Sequence, residues 1–376
     1  MNDIGTQQAH QPVSRDTGEP DAPDLVACVR AATTAPSLHN SQPWRFRITP
    51  FEVDVYADPR RRLDVLDPTG RELLISVGAA VFTLRLAIRG AGYLSDLKLF
   101  PDATEPDLVA RVSVRRPMAP TPAAEALIAA IPHRHTNRWP FARSVVPADA
   151  VERLADAARR EGAVLTVANP VSRNAILGLS QEADRALRAK GRYRAELARW
   201  TSPHAGRRDG VPVTAIGPWD ALEMLPIRDF GLLQPQLDRP AAQFEPYPTI
   251  MVLSTDGDTR RHWVNAGQAL QRVLLTATWL NLATTPISQP VEVPGIRRLL
   301  SDGGAGKWAQ IVLRVGYGRP PRAPRGARSR RCWCRTAASS HEPAGRGGRG
   351  ADATAGPDGR RPGRPGRPRA VDRPVP

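Results

Sequence analysis

The spacing of apolar residues changes several times along the chain, and each change marks an expected element. Residues 1 to about 20 are polar and unpatterned, and are expected to be disordered. Asp24 to Ala32 reads as a short helix. RFRITP (45–50) and EVDVYA (52–57) read as two strands paired around Pro50. Gly70 to Leu94 is apolar nearly all round, through Ile75, Val77, Ala80, Phe82, Leu84, Leu86 and Ile88, which predicts a long helix buried on every face. DLVARVSV (107–114) alternates and predicts a closing strand.

The second half repeats that order. WVNAGQALQRVLLTATWLNLATTPI (263–287) predicts another long buried helix, and QIVLRVGYG (310–318) another closing strand. Set against each other from Gly78 and Gly267, the two helices align Ala80 with Ala269, Leu84 with Val273 and Ile88 with Ala277. The fold expected is α+β, two degenerate halves packed as a pseudo-dimer inside one chain around the long helices. The bounds expected are 21–130 for the first half and 131–318 for the second. Arg199 to Pro240 is rich in Gly, Pro and aromatics and has little periodicity, the character of a lid whose Trp200, Trp219 and Phe230 would close over a site; a plain surface insertion is the alternative.

Charge changes this picture less than its total suggests. The net charge is +16, but residues 319–376 hold 15 Arg against 4 acidic residues, so about +11 of it lies there. That basic segment has no apolar periodicity and is expected to be a disordered tail. PGRPGRPR within it would suit nucleic acid electrostatically, a reading the tail composition alone supports. Three Cys form no disulfide framework, no apolar signal region opens the chain, and no apolar run is expected to reach membrane-spanning length, so a cytoplasmic protein is expected. Arg outnumbers Lys 50 to 3, which with the abundant Ala and Pro suggests a GC-rich genome.

Two stretches carry chemistry. APSLHNSQPW (35–44) is small, polar and bracketed by Pro36 and Pro43, a pre-bent loop between a helix and a strand. In PHRHTNRWPF (132–141), Arg134, Thr136 and Arg138 alternate and can face one way. Two guanidiniums flanking a hydroxyl suit a phosphate; a solvated basic turn is the bland alternative. His133 and His135 have no third ligand nearby, and Cys332 and Cys334 lie in the tail, so no metal is expected.

Together these stretches resemble a known family. PSLHNSQPW is similar to the PSxxNxQPW loop of the FMN-dependent nitroreductases, and RHTNR to their RxSxR phosphate motif. TTPISQ (284–289) resembles their TPxEG turn, and RRHWVNAGQALQRVLLTA with the QIVLRVGYG close is similar to the Acg branch of actinobacteria. The resemblance covers about Asp24 to Gly318. It implies an FMN-binding oxidoreductase using NAD(P)H and a small-molecule electron acceptor, with no membrane partner. Arg134, Thr136 and Arg138 would hold the FMN phosphate; Pro36, Ser37, Leu38 and Asn40 would pack on the flavin; Pro286, Ile287, Ser288 and Gln289 would line the ring edge; Arg322 or Arg325 would also reach the phosphate. No side chain is singled out as catalytic, because the flavin carries the electrons.

In the family, each FMN takes RxSxR from one subunit and the covering loop from the other. Here the first half has the loop without RxSxR, and the second has RHTNR but REGAVLTVANP where its own loop should fall. One composite site per chain, in a monomer with pseudo-dimer architecture, is the expectation. Ser288 stands where the TPxEG turn has Glu, which puts ordinary turnover in doubt and admits a flavin-sequestering or stress protein as the alternative. The family usually ends soon after RVGYG with an acidic close, so a frame shift near residues 320–330 is the expected source of the tail.

Overall fold

The computed structural model describes residues 23–201, 209–233, 237–301 and 306–319. The expected disorder of residues 1–20 and the character of the basic tail from 320 onward lie outside the described residues, as do Arg322 and Arg325.

The first helix, α1 (Leu25–Ala32), starts where the Asp24 carboxylate accepts from the Ala27 amide at 2.9 Å, an ordinary N-cap. β1 (Trp44–Ile48) and β2 (Glu52–Ala57) form the expected hairpin, with Trp44 opposite Ala57 and Ile48 opposite Val53. The long helix α2 (Arg71–Gly90) follows, then β3 (Tyr93–Leu99) and β4 (Leu108–Pro117). Four helices and a strand come next: α3 (Pro122–Ala130), α4 (Ala148–Arg159), β5 (Val164–Val167), α5 (Pro170–Arg188) and α6 (Gly191–Thr201). The short parallel pair β6 (Trp219–Asp220) and β7 (Ala241–Ala242) brackets a mostly irregular segment. The chain closes with β8 (Thr249–Thr255), α7 (Arg260–Trp279), β9 (Ala283–Ile287), α8 (Gln289–Glu292), α9 (Pro294–Leu300) and β10 (Trp308–Gly316).

Two expected boundaries are corrected. The helix expected to reach Leu94 ends at Gly90, and the one expected to reach Ile287 ends at Trp279; a strand follows each. Gly92 (φ +89°) and Asn281 (φ +56°) take the left-handed conformation that turns the chain back. Apolar sequence continues across both turns into a buried strand, so periodicity alone does not mark the break. A further expectation also needs correction: α2 is by length and composition apolar enough to cross a membrane, yet 78% of that stretch is buried inside the protein.

The two four-stranded sheets are antiparallel throughout and share one order, β1-β2-β4-β3 and β5-β8-β10-β9. In each, the strand entering the long helix and the last strand are central, and the strand leaving the helix is at an edge. One core packs α1 and α2 on the first sheet and takes in Val264 of α7. The other packs α4 and α7 on the second sheet and takes in Ile75 of α2. The helices can exchange neighbours because they touch at glycine. A Cβ on Gly78 would sit 2.2 Å from the Val264 carbonyl oxygen, and one on Gly267 would sit 1.9 Å from that of Ile75. This α+β arrangement of two similar halves brings the 35–44 loop and the 134–138 stretch to one place.

Candidate functional site

Thr33 and Thr34 turn their hydroxyls back to the carbonyls of Arg30 and Ala31, and Pro36 prevents α1 from continuing. The loop that follows is tied down internally. Ser37 Oγ accepts from the Gln42 amide at 2.9 Å, and Leu38 donates its amide to Ser76 Oγ on α2 at 3.2 Å. His39, Asn40 and Gln42 have φ of +51°, +53° and +49°. Asn and His are among the residues that most readily tolerate this conformation, but Gln rarely adopts it, and such strain persists only where surroundings impose it. Asn40 is held from across the molecule: its Nδ2 donates to the Gly210 carbonyl at 2.9 Å, and the Gly210 amide donates to the Asn40 carbonyl at 3.1 Å.

The 134–138 stretch runs beside β9. The Asn137 amide donates to the Thr284 carbonyl at 3.0 Å, and Thr285 Oγ1 donates to the Asn137 carbonyl at 2.5 Å. Asn137 is buried, while Arg134, Thr136 and Arg138 line the cavity beside the loop. Arg134 reaches the Thr34 carbonyl at 3.4 Å. Arg138 donates to the Arg228 carbonyl at 2.9 Å and lies 4.4 Å over the Phe230 ring. Among the described residues, neither guanidinium has a carboxylate within ion-pair distance. Burial pushes Arg134 down to about 10, and burial with the nearby Arg228 cation pushes Arg138 down to about 9. Among the described residues, neither forms an ion pair, although the Asp229 carboxylate acts on Arg138 from further off.

The cavity they face measures about 550 Å³. Pro36, Ser37, Leu38 and Asn40 line it from the loop; Arg134, Thr136 and Arg138 from the basic stretch; Pro286 and Ser288 from the end of β9. Ile287 and Gln289 do not. Strand alternation turns Ile287 away, to be fully buried beside Ile176, Ile250 and Val312. Gln289 is buried and gives its amide to the Pro226 carbonyl at 3.1 Å. Sequence reasoning missed His39, Glu72, Ser76, Val211 and Arg228, which also line the cavity. A signal was present for Glu72, a charge at the start of an otherwise apolar helix, and for Arg228 within the irregular segment.

These missed residues carry the site's electrostatics. Arg228 and Glu292 form a buried ion pair, and Arg228 also donates to the Tyr193 hydroxyl at 2.6 Å and to Ser288 Oγ at 3.4 Å. Glu72 pairs with Arg71, which in turn donates to Gln310 and to the Val291 carbonyl. Burial, with the nearby Glu292 and Asp67 charges, holds Glu72 up at about 7 against the pull of Arg71. His39 is 6% exposed, its ring edge-on to Phe230 at 5.0 Å between centroids, and among the described residues neither ring nitrogen has a hydrogen-bond partner.

The irregular segment supplies Val211, Pro212, Ala215, Arg228 and Phe230 to the cavity wall. Two of the three aromatics expected to close over it do not. Trp200 belongs to the last turn of α6 and packs with Leu63, Leu66, Tyr193 and Leu197, and Trp219 is 46% exposed beside an adjoining cleft that shares Arg138 and Arg228 with the cavity. The segment is anchored at both ends. Asp209 pairs with Arg61 at 2.7 Å beside the Gly210–Asn40 bonds, and Pro226 and Arg228 bond to Gln289 and Glu292.

A pre-bent loop, two unmatched guanidiniums and a cavity between paired α+β halves define a class, the nitroreductase-fold proteins. No family model matches the chain. It is 33% identical over 311 residues to a Mycobacterium tuberculosis protein named "Putative NAD(P)H nitroreductase", covering 81% of this chain and 88% of that one. It is 29% identical over 322 residues to the M. tuberculosis protein of the same name designated acg, covering 80% of this chain and 92% of that one. Among solved structures, it resembles a nitroreductase with bound FMN from Bacteroides fragilis at 13% identity and a TM-score of 0.29, over 51% of this chain and 88% of that chain. A nitroreductase with bound FMN from Desulfitobacterium hafniense gives 17% identity and a TM-score of 0.29, over 53% and 94%. The chain belongs to the nitroreductase family, in its Acg-like branch.

Proposed function

We propose that this cavity binds one FMN and that the protein is an FMN-dependent oxidoreductase reduced by NAD(P)H. The observation that carries the reading is the pair Arg134 and Arg138, two guanidiniums facing one cavity, neither in an ion pair with a carboxylate among the described residues. Burying unpaired cations is costly, and a phosphate dianion removes that cost with charge-assisted hydrogen bonds. The remaining wall fits the rest of the cofactor: Leu38, Ile75, Leu270 and Pro286 offer apolar surface, and about 550 Å³ lies within the usual range of ligand pockets.

Bound FMN supplies the hydride and electron chemistry that no side chain here performs. The chain's own residues bind and shield. Arg134, Arg138 and the Thr136 hydroxyl hold the phosphate from the second half, and the loop at Pro36–Asn40 covers the cofactor from the first. Val211, Pro212 and Phe230 exclude water. Because one chain supplies both the cradle and the cover, the reading requires no second copy, and the same strand order in both halves is consistent with duplication of one ancestral unit.

A second reading, flavin sequestration with little turnover, is favoured by the anchoring of the 209–230 segment at both ends. One experiment separates the readings. Purified protein is released from its flavin by heat and the ratio to protein is measured; the intact protein is then mixed with NADPH under anaerobic conditions and flavin absorbance is followed. One FMN per chain with rapid bleaching supports the oxidoreductase, and one FMN per chain that resists NADPH supports the store. A ratio near two, or no flavin uptake, defeats the composite site.

A further inference from the structure

We propose that the buried ion pair of Arg314 and Glu245 is a positioning device: it fixes the register of the 134–141 stretch and so sets the preference of the cavity for a phosphate-bearing flavin, without touching the ligand. This rests on the reading of the cavity as an FMN site. Arg314 lies on β10 with none of its surface exposed, Glu245 is buried beside it, and neither lines the cavity. The guanidinium meets the carboxylate through two bonds of 2.6 Å each. It also lies 3.6 Å from the centroid of the Phe141 ring and 5.2 Å from that of Phe244. Desolvation offsets most of the attraction in a buried pair, so such a pair adds little to the stability of a fold by itself. What it contributes here is where its other bonds go.

Those bonds lead to one stretch of backbone. Arg314 Nη1 and Nη2 donate to the Trp139 carbonyl at 3.2 and 3.3 Å. Glu245 Oε2 accepts from the Phe141 amide at 2.9 Å. Arg314 Nη1 also donates to Thr285 Oγ1 at 3.3 Å, and that hydroxyl donates to the Asn137 carbonyl at 2.5 Å. The backbone groups held are thus those of residues 137, 139 and 141, while the side chains that face the cavity belong to 134, 136 and 138. Bridges from Thr136 to Thr284 and from Phe141 to Gly318 lay this stretch beside the second sheet. In extended chain, neighbouring residues face opposite sides, and a slip of one position exchanges the two sets. Such a slip would bring the buried Asn137 to the cavity and take Arg138 away from it. Only a planar guanidinium can fork onto a carboxylate and still reach a carbonyl and a hydroxyl beside it.

The test reads the ratio of two affinities. Parent and variant proteins, full-length and freed of flavin, are titrated with FMN and with riboflavin, and binding is followed by flavin fluorescence. Arg134→Ala removes a phosphate contact directly and gives the reference signature, FMN weakened and riboflavin unchanged. Arg314→Met combined with Glu245→Met removes the pair without stranding a buried charge. It should weaken FMN by roughly tenfold and leave riboflavin unchanged. Thr285→Val keeps the pair and removes only the hydroxyl that reaches Asn137, and should lower the ratio in the same direction by less. If the double variant does not fold, the ratio for Thr285→Val decides. Equal losses for FMN and riboflavin, or an unchanged ratio, would make the pair a general support of the fold and overturn the proposal while leaving the FMN site standing. If the parent binds riboflavin as tightly as FMN, or binds neither, the phosphate reading of Arg134 and Arg138 falls, and the proposal falls with it.

Discussion

Arg134 and Arg138 are ordinary surface residue types placed where neither finds a carboxylate, and their local bonds are single contacts to backbone carbonyls. Each contributes a charge-assisted contact to the proposed phosphate, on the order of 1.5–3 kcal/mol. Arg134→Ala and Arg138→Ala are therefore expected to weaken FMN binding by roughly tenfold to hundredfold each, as measured by equilibrium dialysis. Neither change should greatly reduce thermal stability in the absence of FMN, because each removes a half-buried cation that forms no ion pair among the described residues. Flavin affinity equal to the parent's in both variants would make RHTNR a basic turn and nothing more. Ser288 is a different case. It stands where the family turn has Glu, and its hydroxyl receives Arg228, whose charge is already matched by Glu292.

At the scale of elements, the crossing of α2 and α7 sets the spacing between the two halves. Gly78 and Gly267 meet backbone rather than side chain, so neither contact relaxes by a rotamer change. Gly78→Ala and Gly267→Ala are each expected to destabilise the protein by about 3 kcal/mol, the upper part of the range for overpacking. A urea midpoint shift measures it. Gly178→Ala on α5 is the control: nothing lies within 4 Å of its added Cβ, and it should stabilise by about 0.5–1 kcal/mol through helix propensity. Equal effects at all three positions would show that the close approach is not tight. β9 works at this scale as well. Its alternation turns Pro286 and Ser288 toward the cavity and Ile287 into the second core.

At the scale of the whole molecule, part of the cavity wall is a segment of the second half fastened to the first. Gly210 is held by Asn40 and Asp209 by Arg61, while Pro226 and Arg228 are held by Gln289 and Glu292. Segments fixed over a site commonly limit turnover. Replacing residues 211–225 with a short Gly/Ser linker removes Val211, Pro212 and Ala215 from the wall but keeps every one of those anchors. The buried Glu292 thus keeps its partner, avoiding the several-kcal/mol cost of an isolated buried charge. The expected outcome is faster reduction of bound flavin by NADPH in stopped-flow measurements, at unchanged flavin content. An unchanged rate with flavin retained would mean that the segment does not gate access.

What the sequence determined by itself was local. The hairpin around Pro50, the two long buried helices, the closing strands and the bends of the 35–44 loop follow from periodicity, proline placement and turn chemistry, all set by neighbours in the chain. The family was legible for the same reason, since PSLHNSQPW and RHTNR are contiguous motifs. Where local rules ran out, the expectations missed: apolar sequence continued past Gly90 and Trp279, and only the left-handed turns there separate helix from strand. Tertiary structure alone decided which aromatic of the irregular segment meets the cavity, that Arg228 is neutralised by Glu292, and that His39 is buried without a hydrogen-bond partner among the described residues. The bond from Asn40 to Gly210 spans 170 residues, and the contact of Gly78 with Val264 joins two different helices. Such pairings depend on how two cores pack against each other, and no window of sequence contains that geometry.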